Sequence, residues 1–149
     1  MSLTGKIAGD LINAMKGKDK IALEAIRAAK TAFLMAKSEK GTDTVLTYDE
    51  ELRIIQKLVK QRRESADIYK ANDRMDLCDK EVAEATVLEK YLPAKISEAE
   101  LETALKAIIE KTGAKSPADM GRVMGAATKE LAGKADGKEI AAKVKQLLG

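Results

Sequence analysis

The sequence predicts an all-α protein, and three observations carry that prediction. Apolar residues recur at helical spacing along most of the chain. Ala, Leu, Lys and Glu, all good helix formers, dominate it, while Trp is absent and Phe33 is the only phenylalanine. Three short stretches also have the spacing of helix-opening capping boxes: Thr47 with Glu50, Ser97 with Glu100, and Asp136 with Glu139. Hydrophobic residues make up 45% of the 149 and charged residues 34%, a balance that fits helices packed through aliphatic seams and argues against a β-sandwich.

The elements follow in order. Leu3, Ile7, Leu11 and Met15 form one stripe of a first helix from about Leu3 to Lys16, which Gly17 ends. Asp19 caps a second helix to about Glu39, with Ala22, Ile26, Ala29 and Phe33 on one face. Gly41-Thr42-Asp43-Thr44 reads as a polar loop. The third helix opens at Thr47 and reaches about Lys70, burying Leu52, Ile55, Val59, Ala66 and Tyr69. A fourth, from about Asp73 to Tyr91, turns Met75, Cys78, Val82, Ala85, Leu88 and Leu92 inward. Long helices with short connections predict an antiparallel bundle over residues 1–92.

Tyr91-Leu92-Pro93 is the strongest boundary, because proline disfavours helix at the preceding residue and lacks an N–H. Residues 93–149 then read as a small three-helix domain. Ser97 opens a helix carrying Leu101, Leu105, Ile108 and Ile109, which Gly113 terminates. Ser116 offers a capping hydroxyl before Pro117, and Met120, Val123, Met124, Ala127 and Leu131 follow at helical spacing. After the turn Gly133-Lys134-Ala135-Asp136-Gly137, a last helix buries Ile140, Val144, Leu147 and Leu148.

Composition also narrows the chemistry. There is no His to shuttle protons near neutral pH, and the lone Cys78 permits neither an intrachain disulfide nor a cysteine-rich zinc site. Cys78 lies on an apolar stripe and reads as a small buried hydrophobe, and Met120 and Met124 read as core. Glu50, Glu51, Asp73, Asp76 and Asp79 fall at helix starts or exposed faces, where capping and the helix dipole explain them. No catalytic residue, metal site or cofactor is expected. The start of the chain lacks the apolar core of a signal peptide, and no apolar run is long enough to span a membrane. A cytoplasmic protein with no membrane partner is the expectation.

The net charge of +3 is small but uneven. Residues 1–92 hold 17 basic and 16 acidic side chains, whereas residues 111–149 hold 8 basic and 4 acidic ones. Phosphate contacts, if made, belong near the C-terminus.

At this point the residues resemble a known family. The order Tyr91-Leu92-Pro93, Ser97 through Leu101, Asp119-Met120-Gly121-Arg122-Val123-Met124-Gly125 and Gly133-Lys134-Ala135-Asp136-Gly137 is similar to the GatB/YqeY family. Asn13-Ala14-Met15-Lys16, Lys18-Asp19-Lys20 and Lys60-Gln61-Arg62-Arg63 resemble its stand-alone YqeY-like members, so the likeness covers nearly the whole chain. The resemblance implies an N-terminal helical bundle and a C-terminal three-helix domain like the tail of the tRNA amidotransferase B subunit, which helps to hold misacylated tRNA. The catalytic cradle of that subunit has no counterpart here, so carbon–nitrogen ligase activity with glutamine as amido donor would be inherited in name only.

Lys115, Arg122, Lys129, Lys134 and Lys138 are therefore the candidate phosphate contacts of a tRNA-binding surface. Two readings of Gly121 and Gly125 stand side by side: close approach of a partner backbone, or tight helix packing inside the domain, which the four-residue spacing favours. No aromatic residue follows Tyr91, so any RNA would be read by shape and backbone and not by stacking on bases. Lys57, Lys60, Arg62 and Arg63 form a second basic patch, which Glu64 and Asp67 could neutralise from i+4 positions. The bundle could alternatively serve a protein partner as a helical adaptor.

Overall fold

The structure is a computed structural model that describes residues 2–41 and 43–149. The loop read at Gly41–Thr44 includes Thr42, which lies outside the described residues. Every regular element among them is helical, and the chain divides into two compact units, Met1–Leu92 and Pro93–Gly149.

Four helices build the first unit: α1 (Leu3–Lys16), α2 (Lys20–Lys40), α3 (Tyr48–Ala71) and α4 (Met75–Glu89). The most extensive packing joins α3 and α4, and α2 packs on α1, α3 and α4. Ile7, Ala25, Ile26, Ala29, Phe33, Leu52, Ile55, Ala85 and Leu88 fill the core. Asp19 caps α2 by accepting from the Ala22 N–H, and Thr47 and Glu50 exchange both bonds of a capping box at the start of α3. An ion pair between Lys40 and Glu50 ties the end of α2 to that start.

Several side chains depart from the predicted stripes. Met15 is 54% exposed and Ala14 takes the buried position instead. Steps of four residues rotate about 40° each around a helix, so the fourth member of the stripe has left the buried arc. Asp73 does not open α4; it sits at a left-handed φ of 57° in the turn, and the exposed Met75 begins the helix. Tyr69, Val82 and Leu92 are half-buried.

The supposed basic face of α3 is partly internal. The Arg62 side chain is only 16% exposed and lies 4.0 Å from Glu84 of α4, while Arg63 pairs with Glu89 at 2.7 Å and not with Asp67. Those partners are far off in sequence, so local spacing did not reveal them. Glu51, read as a helix-start acid, is 1% exposed and accepts four hydrogen bonds from the first residues of α1.

The second unit comprises α5 (Glu98–Thr112), a 3-10 turn at Pro117–Asp119, α6 (Met120–Glu130) and α7 (Gly137–Leu148). Leu101, Leu105, Ile108, Val123, Ala127, Leu131, Ile140 and Val144 make its core, with Met120, Met124, Leu147 and Leu148 packed at the edge. Gly113 ends α5 in the left-handed conformation, φ 72°, that glycine adopts without a Cβ penalty. Ser97 accepts from the Glu100 N–H, and the Glu100 carboxylate returns to the Ser97 hydroxyl. Asp136 caps α7 through the Lys138 N–H. Ser116 makes no side-chain cap bond. Asp119 instead ties down the turn ahead of the helix, accepting from the Lys115 N–H at 3.0 Å.

Candidate nucleic-acid interface

Helix α6 and its two flanking turns carry four of the five candidate cations, and the first turn of α7 carries the fifth. Lys115 lies in the turn before the helix, Arg122 and Lys129 on it, Lys134 in the turn after it, and Lys138 in the first turn of α7. All five are exposed. Two local devices position them. At the entry, Asp119 accepts from the Lys115 backbone at 3.0 Å and from the Arg122 guanidinium at 2.8 Å, locking turn and helix together. The Lys115 N–H and then the Arg122 charge hold the Asp119 carboxyl below the usual carboxylate range. At the exit, Gly133 turns the chain at φ 75°, and the Lys134 carbonyl accepts from the Ile96 N–H at 3.0 Å, fixing the turn to the segment before α5.

Charge balance separates the five. Arg122 spends part of its charge on Asp119. Lys115, Lys129, Lys134 and Lys138 have no acidic partner among the described residues. By contrast, Lys143 of α7 is drawn between Glu98 and Glu102 with its side chain 14% exposed, and Lys95 meets Glu139. Among the described cations of the second unit, Lys95, Lys106, Arg122 and Lys143 are thus paired with acids, whereas Lys111 and Lys145 share with Lys115, Lys129, Lys134 and Lys138 the lack of an acidic partner.

The exposed face of α6 is also bare. Val123 and Ala127 point into the core. Opposite them, at about 100° per residue, Gly121 and Gly125 lie near the middle of the outward face, with Arg122 and Lys129 along one edge about 10 Å apart. A Cβ built on either glycine meets no atom within 4 Å. The expectation that these glycines serve tight packing within the domain is therefore corrected: they face open space, and the core of the unit forms without them. Gly125, exposed within the helix, costs about 1 kcal/mol relative to alanine. Asp119 is the residue that sequence reading missed here. The signal available was an acid three residues before Arg122 and four after Lys115.

Outside this region, Tyr91 of the boundary motif is 7% exposed and donates to Asp10 of α1 at 2.5 Å, with Lys6 over its ring, so its part is structural. Cys78 is buried. Among the described residues, no helix is long and apolar enough to cross a membrane.

A chain of this kind, all helical, with a four-helix unit followed by a three-helix unit and a basic turn-helix-turn surface, is matched over residues 4–148 by the model of the Yqey-like protein family. The protein belongs to that family. Among curated proteins it is 31% identical to the altered inheritance of mitochondria protein 41, mitochondrial, of Pyrenophora tritici-repentis, over 97% of this chain and 80% of the relative. The protein of the same name from Saccharomyces cerevisiae is 35% identical over 58% of this chain and 46% of its own length.

Proposed function

We propose that this protein is a non-catalytic, tRNA-associated binding protein that docks the sugar-phosphate backbone of structured RNA on the outward face of α6 and its flanking turns. One observation carries the reading: Lys115, Lys129, Lys134 and Lys138, without acidic partners among the described residues, surround a helix face left bare by two glycines. Uncompensated lysines supply a non-sequence-specific attraction to phosphate, and two exposed glycines lower the helix surface where a polymer backbone would come close. The choice of tRNA over other RNA rests on the resemblance of residues 93–149 to the amidotransferase tail. Cytoplasmic residence is part of the proposal. The fungal relatives carry the mitochondrion in their names, and tRNA is found in both compartments.

The test is a binding titration of the full chain with tRNA, set beside a non-tRNA duplex. The reading predicts preferential binding to tRNA and a loss of about tenfold or more when Lys129, Lys134 and Lys138 are all reversed to Glu. Unchanged binding by the triple variant rejects the site.

A second reading, a helical adaptor working through the first unit, draws on Leu34 and Met35 of α2, which are 59% and 62% exposed. It predicts partner capture by the first unit in the absence of RNA. Glutamine-dependent amide transfer by the purified chain is not expected, and turnover would overturn the non-catalytic reading.

A further inference from the structure

Helix α1 has a small apolar anchor. Leu3, Ile7 and Ala14 are its buried residues, while Gly5 and Gly9 face open space. A helix of 14 residues with two glycines is too short and too weak to persist alone, since about 12–15 residues are marginal even in alanine-rich peptides.

Polar contacts add to the packing of Leu3 and Ile7. The buried Glu51 carboxylate accepts from the Thr4 hydroxyl at 2.6 Å, the Thr4 N–H at 2.7 Å, the Leu3 N–H at 3.3 Å and the Ser2 hydroxyl at 3.4 Å. It thereby caps α1 from another helix, where the natural cap residue Ser2 makes no cap bond of its own. Midway along, Asp10 accepts from Tyr91 at 2.5 Å and Lys6 covers the same ring at 5.5 Å. At the far end the chain passes through Gly17 and then Lys18, a non-glycine residue at φ 53°.

We infer that α1 is a detachable strap, which unfolds as a unit about the Gly17–Lys18 turn while α2, α3 and α4 stay folded, uncovering Glu51 and Tyr91. Release leaves no charge stranded. Glu51 lies in the first turn of α3, where the helix dipole favours an anion, and Asp10 departs with the strap into water.

Native-state hydrogen exchange on the full chain tests this. In the wild type, α1 amides from Ile7 to Lys16 should exchange at least about 100-fold faster than those from Ile55 to Ala66 in α3, through openings insensitive to low denaturant. Glu51→Gln should speed α1 exchange by about tenfold or more and leave α3 unchanged, because hydrogen bonds to a charged acceptor are weakened. Tyr91→Phe should act the same way from the other latch. Exchange of α1 and α3 at a common rate in the wild type would overturn the proposal, as would variants that speed both helices equally.

Discussion

Two buried carboxylates show how differently one residue type can be used. Glu51 is surrounded by donors that satisfy it. Glu84 faces Arg62 at 4.0 Å, and the Arg62 Nε has no hydrogen-bond partner among the described residues. Burial pushes the Glu84 carboxyl above the ordinary carboxylate range, against the opposing pull of Arg62. A carboxyl raised in the folded state contributes stability that is complete below its unfolded value and is lost as pH rises through the folded one. Urea midpoints at acidic and neutral pH should therefore show the wild type losing stability relative to Glu84→Gln as pH rises; a constant difference would contradict that environment. Neither carboxylate's role was legible in the sequence. The donors to Glu51 lie 47 to 49 positions away, and the Arg62–Glu84 pair forms only once α3 and α4 pack.

At the scale of elements, starts and stops were the most legible feature, because caps act within three or four residues. Asp19, Thr47, Ser97 and Gly113 all stand where local chemistry put them. Local chemistry was less decisive where two signals competed. The helical turn does start at Pro117 after Ser116, but the Ser116 hydroxyl makes no cap bond, and the Asp119 carboxylate accepts from the Lys115 N–H. Helix α6 shows the other gap: spacing alone cannot say whether paired glycines face a neighbour or solvent. Since a Cβ on Gly121 or Gly125 meets nothing, each change to alanine should stabilise the protein by about 0.5–1 kcal/mol, read from thermal or urea midpoints. The same two changes should weaken RNA binding if a backbone approaches that face. Destabilisation by Gly125→Ala would mean that the glycine is needed for packing after all.

For the whole molecule, the all-helical class was legible from periodicity and composition, since no competing period runs through the chain. The candidate surface was legible only in part. The cations are visible in the sequence, but their neutralisation is not: Lys143 is consumed by acids of α5, while Lys129 and Lys134 are left open.

The most direct measurement is the salt dependence of tRNA affinity for the wild type and for the variant with Lys129, Lys134 and Lys138 reversed. With about four phosphates neutralised, the wild type should show a log–log slope of roughly −3, a loss of about 60-fold over a fourfold rise in salt, and the variant a slope of about −1 or less. Equal slopes for the two proteins, or an affinity for tRNA that ignores salt, would contradict the account.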